Sequence, residues 1–542
     1  MRVYHRRPRT RKDKWIAIGA LFAVAAFLTP AASSLSSLNA PGKGVDLATM
    51  SSIGRLPGRE TPVCAASDPV PAALVRAGAV SYTVDPSAGT WRPWFVGPNE
   101  VPANAPPATL SVQTAQELAS LHQWQLNRTS DQVLHAQATD GPATQYWEQL
   151  MLNLIVVHSN KNGLKNPPQL SRQIAMLADA MYDAEIVAWA EKYCYQRPAP
   201  SMIDPALQPV VSVPAEPSYP SEHAAAAGAA AALLAVFFPC PDANGKCEEP
   251  PGRFDREAYN VSENRVIGGA NYQSDVDEGL RIGYAVGNAV LAARAGDGYN
   301  AVWDGSGRIT GPCNWIPTPP AFQYPPVQPL WGQVTPFVLA SGSELRPGPP
   351  PACGSLDYTE EAQDLYDTSL NLTPREIEIA LYWNAGQGTQ TPPGMNYNIA
   401  INETVAHGLD TIHHARVMSY EASADADAAI AAWDAKFTYW WIRPVTEIRE
   451  ASWGDPNWSS LIPTPPFPGY ISGHATFTAA GTSTLAHFFP QDAQTLSALA
   501  TEAANSRMYG GIHVRSDNEM GLQVGSEIGQ VAGALSDTDG AS

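Results

Sequence analysis

Apolar residues in this chain gather into long small-residue runs, and sustained period-two alternation is absent. The flanks of its Pro-rich centre therefore read as helices, not strands. Residues 421–441 are Ala-rich and contain neither Gly nor Pro. Trp433, Phe437, Trp440 and Trp441 on that segment predict a mostly buried helix. Thr373-Pro374 offers an N-cap followed by Pro at the first helical position, which starts a helix over 373–384. The Ala-rich stretch 224–238 is broken by Gly228 and ends at Pro239, so it is not expected to cross a membrane. Residues 310–352 end in Pro349-Pro350-Pro351 and predict extended loop. The expected architecture is all-α, two packed helical bundles.

The helical runs come in two related sets. Tyr219-Pro220-Ser221-Glu222-His223 leads into a run ending Phe237-Phe238-Pro239, and Tyr470-Ile471-Ser472-Gly473-His474 into one ending Phe488-Phe489-Pro490. Arg265, Gly269, Asp275, Gly279 and Gly283 match Arg507, Gly511, Asp517, Gly521 and Gly525, each pair 242 residues apart. Trp189 and Lys192 match Trp433 and Lys436, 244 apart. Fixed matches in a fixed order point to a degenerate internal duplication. The first copy differs where chemistry would sit: Asn271 stands at the place of His513, and Glu222 at that of Gly473. Arg197 follows Lys192 by five positions, which on a helix turns it about 140° away. The first half is read as scaffold and His223 as a packed or hydrogen-bonded histidine, with a vestigial second site as the alternative. The chain then divides into an export signal or N-terminal anchor (1–33), a degenerate first helical half (34–309), a Pro-rich connector (310–352) and a catalytic helical half (353–542).

Composition changes this picture at the N-terminus. Arg6, Arg7, Arg9, Arg11, Lys12 and Lys14 precede an apolar run from Trp15 to about Leu28 and then small residues, the pattern of an export segment. A periplasmic or secreted address is expected, with no stable membrane association unless that segment stays uncleaved. The six cysteines, Cys64, Cys194, Cys240, Cys247, Cys313 and Cys353, suit disulfides there. Cys240–Cys247 is the favoured pair, and Cys313 with Cys353 brackets the connector. The net charge is −19, with no basic stretch in the body of the chain, which argues against nucleic acid as a partner.

Against that acidic background, three short segments concentrate cations and histidines: Lys436 with Arg443-Pro444, Ser472-Gly473-His474, and Ser506-Arg507 followed by Gly511, His513 and Asp517. Lys436 and Arg443, seven apart, are expected on one helical face about 10 Å apart, with Pro444 ending the helix. Ser472-Gly473-His474 opens a helix whose free N–H groups and dipole favour an anion. Gly473 permits close backbone approach. Ser472 adds a donor, and His474 is placed to act as acid or base. Arg507 and His513 would lie about 240° apart on an unbroken helix, so Gly510-Gly511 is expected to break it. Asp517, one turn beyond His513, can bind one ring nitrogen and leave the other as ligand or nucleophile. Such a set suits a tetrahedral oxyanion, phosphate or vanadate.

These three segments resemble the superfamily of vanadium-dependent haloperoxidases and type 2 phosphatidic acid phosphatases, with Ile471 where a Pro commonly precedes the Ser. The resemblance to bacterial haloperoxidase-like proteins extends over roughly 325–542, including Trp331-Gly332-Gln333-Val334 and Thr391-Pro392-Pro393-Gly394. It implies vanadate as cofactor, its oxygens held by Lys436, Arg443, Ser472, Gly473 and Arg507. It implies His513 as axial ligand and His474 as acid–base group, with Lys436 polarising bound peroxide. Hydrogen peroxide, a halide and a small organic acceptor are the implied partners. Trp433 and Phe467 resemble the aromatic pair lining the halide side of the chloroperoxidase type. The same residues also fit an acid phosphatase, in which His513 attacks phosphorus and no vanadate is needed.

Overall fold

Helices begin where the chain offers caps. The Thr373 side chain accepts from the Glu376 backbone, Glu376 answers in a capping box, and Pro374 is the first helical residue. Ser111, Thr129, Asn166 and Asp410 cap four other helices in the same way. The computed structural model describes residues 82, 84–159, 166–240, 245–386 and 388–541, and these belong to one compact unit. The proposed export segment and Cys64 lie outside the described residues. The N-terminal half contains α1 (Val112–Asn127), α2 (Ser130–Ala138), α3 (Gln145–His158), α4 (Pro167–Tyr195), α5 (Glu222–Phe237), α6 (Arg253–Gly268) and α7 (Gln273–Ala293). The C-terminal half contains α8 (Leu356–Leu370), α9 (Pro374–Tyr382), α10 (Thr391–Ala406), α11 (Thr411–Tyr439), α12 (Pro444–Glu450), α13 (Gly473–Phe488), α14 (Ala493–Tyr509) and α15 (Arg515–Ser536). Among the described residues there is no strand, only an isolated bridge between Asn314 and Trp441. The all-α expectation holds. No helix among them is long and apolar enough to cross a membrane.

The two halves are built alike. The long helices α4 and α11 are each 29 residues and end on a left-handed residue, Gln196 and Trp440. Asp183 on α4 accepts from the backbone N–H groups of Trp94, Phe95 and Val96. Asp427 on α11 does the same for Phe337, Val338 and Leu339. Helices α4 and α11 pack on each other, and the buried Ser423 hydroxyl reaches Asp179 across the contact at 3.1 Å. Each half also has a tight pair, α5 on α7 and α13 on α15. A Cβ on Gly283 would run into the Ala225 carbonyl, and one on Gly525 into the Thr476 carbonyl, so glycine sets the approach of both pairs.

The connector contains one 3₁₀ turn, Trp331–Gln333, and otherwise runs without helix. It grips the end of α11. Trp315 N donates to Trp440 O and Ile442 N to Cys313 O, while a Cys313–Cys353 disulfide ties the connector down. Cys240–Cys247 is also formed. This grip corrects one expectation. Lys436 and Arg443 do not share a helix, because α11 stops at Tyr439 and Arg443 caps a new helix that Pro444 starts. Proline lacks only an N–H that the first turn leaves unbonded, so it serves equally as a start signal. Arg197 likewise lies beyond the end of α4, so its angle on a helix does not apply.

Candidate active site

Six side chains from five segments converge beside the loop 467–471. Lys436 comes from the last turn of α11, Arg443 from the start of α12, and Arg507 from the last turn of α14. Ser472 occupies the N-cap position of α13, and His474 lies in its first turn. Helix α14 ends at Tyr509, and Gly511 adopts a left-handed φ of 77°. The Gly pair thus breaks the helix as expected and turns His513 back towards Arg443. His513 precedes Val514, the N-cap of α15, so it reaches Asp517 from outside the helix.

The three cations are fully buried and face neutral partners. Lys436 Nζ donates to the carbonyls of Pro468 (3.1 Å), Gly469 (2.7 Å) and Ile471. Arg443 donates to Phe467 O (2.8 Å) and Ile512 O (3.0 Å), and lies 3.1 Å from His513 Nε2. Arg507 donates to Ser506 Oγ (2.9 Å) and Ala380 O, and lies 3.3 Å from His474 Nε2. Burial drives the Lys436 ammonium well below its ordinary range, with Arg443 adding repulsion and Asp517 opposing it. Burial likewise lowers both guanidinium groups to about 9. Burying uncompensated cations costs on the order of several kcal/mol per ion, so the arrangement is poised for an anion.

The histidines are held neutral. Burial, then Arg443, Lys436 and Arg507, push His513 well below its ordinary value. Burial and Arg507 do the same to His474, partly opposed by backbone groups of Trp383 and Asn384. A neutral His513 donates from Nδ1 to Asp517 Oδ2 at 2.8 Å, which leaves the Nε2 lone pair directed into the cation cluster. Asp517 is buried and pushed up to about 7 by burial, against the pull of Lys436 and Arg443.

Several polar atoms await a partner. Among the described residues, Arg443 Nη2 and Ser472 Oγ are buried without a hydrogen-bond partner, and the Ser472 side chain does not cap its own helix. A Cβ on Gly473 would meet nothing closer than Phe477 at 3.6 Å. The fold itself therefore does not demand glycine there. Orphaned donors, a helix N-terminus and a clear Gly473 fit a tetrahedral oxyanion. On one side stand Trp433 and Phe467, with ring centroids 4.9 Å apart. Lys436 Nζ lies 5.3 Å from the Phe467 ring, and the Arg443 guanidinium 5.0 Å.

The structure brings together every expected site residue: Lys436, Arg443, Ser472, Gly473, His474, Arg507, His513 and Asp517, flanked by Trp433 and Phe467. Sequence reasoning missed the backbone. Four carbonyls between Phe467 and Ile471 wrap Lys436 and Arg443, and backbone from α9 and its exit approaches Arg507 and His474. The available signal was Pro465-Pro466-Phe467-Pro468-Gly469, where proline removes N–H groups and leaves carbonyls as the polar face.

A family model described as the VCPO second helical-bundle domain matches residues 416–495 and 492–537, which span all the cations and histidines above. A curated relative, vanadium chloroperoxidase from Curvularia inaequalis, is 25% identical over 406 residues, covering 62% of this chain. The match spans 63% of that relative, just under two thirds of its length. Among solved structures, the first bacterial vanadium-dependent iodoperoxidase is 25% identical with a TM-score of 0.56, covering 72% of this chain and 95% of that one. An apo-type bacterial vanadium-dependent chloroperoxidase is 16% identical with a TM-score of 0.51, covering 69% and 94%, and speaks for the fold alone.

Proposed function

We propose that this chain, which is similar to vanadium haloperoxidases, binds vanadate in the cluster around Lys436 and oxidises a halide with hydrogen peroxide. The observation that carries this reading is three buried cations that pair with no carboxylate among the described residues, set around a neutral histidine whose Nε2 points among them. Lys436, Arg443, Arg507, the Ser472 hydroxyl and the amide at Gly473 would hold the oxygens, and His513 Nε2 would supply the nitrogen donor. Bound vanadate supplies a redox-inert Lewis acid that activates peroxide towards the halide.

The chain's own residues do the rest. Asp517 holds the proton on His513 Nδ1 and so keeps Nε2 as a lone-pair donor. Lys436 presents a positive charge fixed by backbone carbonyls, available to polarise an oxygen of peroxide. His474, neutral beside Arg507, can accept a proton from peroxide on binding and return one to the leaving oxygen. Trp433 and Phe467 present an apolar wall next to two cations, an environment that strips water from a halide while compensating its charge. The relatives differ in their named halide, chloride in one and iodide in another, so the halide is assigned here only as a class.

A paired assay on one metal-stripped preparation tests the proposal. Bromide, chloride and iodide oxidation is followed with peroxide before and after orthovanadate, and aryl phosphate hydrolysis without vanadate. Halide oxidation that appears only with vanadate is expected. Phosphate release that vanadate inhibits, with no halide oxidation, sinks the peroxidase reading and makes the same residues a phosphatase.

A further inference from the structure

The first half resembles the cluster in outline, but Glu222 at the Gly473 position changes its meaning. Helix α5 starts at Glu222 after the N-cap Ser221, as α13 starts at Gly473 after Ser472, and a histidine follows in both. Lys192 on α4 is buried and donates to Pro217 O at 2.7 Å, as Lys436 donates to Pro468 O. Where Lys436 pairs with no carboxylate among the described residues, Lys192 has one. Glu222 Oε2 lies 2.8 Å from its ammonium, and Oε1 lies 2.7 Å from His223 Nδ1 and 3.9 Å from Arg265. Lysine, arginine, histidine and the N-terminus of α5 thus surround a carboxylate carried at the glycine position. The other cations are covered as well, Arg197 by Asp275 and Glu117, and Arg265 by Asp140. A cavity of about 200 Å³ beside this cluster is lined by Trp189, His223 and Arg265, together with the carboxylates of Asp140, Glu216 and Asp410.

We infer that the first half contains a second oxyanion site, filled in the native chain by the Glu222 carboxylate, and that Glu222→Gly frees it for phosphate or vanadate. The carboxylate presents two oxygens where a tetrahedral anion would present its own, and it is the one that pairs directly with the buried Lys192 ammonium, at 2.8 Å. The native protein therefore takes up one oxyanion per chain, not two. The freed site lacks an imidazole at the His513 place, since Asn271 there donates to Ser218 O. It binds an anion without adding halide oxidation.

The experiment counts orthovanadate bound per chain by equilibrium dialysis and elemental analysis, in the full-length protein and in Glu222→Gly. A rise from one to two, with halide oxidation per chain unchanged, is expected. The comparison rests on the oxyanion reading of the Lys436 cluster only for its baseline: counts of zero and one would refute that reading and leave this inference standing. A folded Glu222→Gly protein with no added anion overturns it. So does one that stays unfolded in saturating phosphate, because the anion should replace the lost carboxylate. Glu222→Gln gives an independent check. It keeps the volume and removes the charge, so its Tm should fall and phosphate should not restore the loss relative to the native protein. A native Tm in Glu222→Gln overturns the role given to the carboxylate.

Discussion

His513 illustrates how one side chain's chemistry is set by its neighbours. Asp517 accepts a hydrogen bond from its Nδ1, and burial with three nearby cations keeps the ring from gaining a second proton. Asp517→Ala should therefore weaken vanadate binding about 10–100-fold, the usual cost of losing a partner that orients a ligating histidine, as read by titrating the apoprotein. His474 touches Arg507 but does not complete the cluster. His474→Ala should lower turnover by roughly 100-fold or more, the ordinary contribution of a general acid–base group, while vanadate affinity changes far less. Equal loss of both in parallel titrations would contradict the acid–base assignment. These residues were legible in the sequence because their types are scarce in an acidic, Ala-rich chain and fall in three short segments. The carbonyls around Lys436 were not, since every residue carries one and only the path of the backbone selects which are used.

At the scale of elements, the site depends on where helices stop and how closely they pack. Helix α13 must bring Ser472 and Gly473 up to the cluster, and its tight contact with α15 fixes that position. A Cβ at Gly525 collides with the Thr476 carbonyl, so Gly525→Ala should destabilise the protein by about 1–3 kcal/mol, measured by denaturant unfolding. The end of α11 is set by the left-handed Trp440 and by the connector bonded to residues 440–442. Cys313–Cys353 closes a 40-residue separation over that connector. Cys313→Ser should lower stability by about 4 kcal/mol on a chain-entropy basis. The start of a helix at Thr373-Pro374 was readable from its cap. The role of Pro444 was not, because a proline marks an end as readily as a beginning, and only the tertiary grip on residues 440–442 decides between them.

For the whole molecule, the consequence is a dependence of stability on anions. Burial lowers Arg443 and Arg507 to about 9. A basic group depressed by folding penalises the folded state below its folded value, and the penalty fades as pH rises from there towards the unfolded value. An oxyanion relieves the penalty while the cations are charged. Orthovanadate or phosphate should thus raise Tm at pH 7, by the equivalent of about 2.7 kcal/mol at 100 times Kd. That gain should disappear as pH rises through about 9. A gain that persists at pH 11 in differential scanning calorimetry would place the anion elsewhere.

The amino-acid sequence by itself determined the helical class, the residues of the candidate site and their order along the chain, because periodicity, caps and scarce charged types are local properties. It also marked Glu222 as the departure from Gly473. Only the tertiary structure decided that Glu222 sits among Lys192, His223 and Arg265 while the matching place beside Lys436 has no carboxylate. Whether a buried cation has a counter-charge depends on side chains that meet across helices from distant parts of the chain, and no spacing along one segment encodes that meeting.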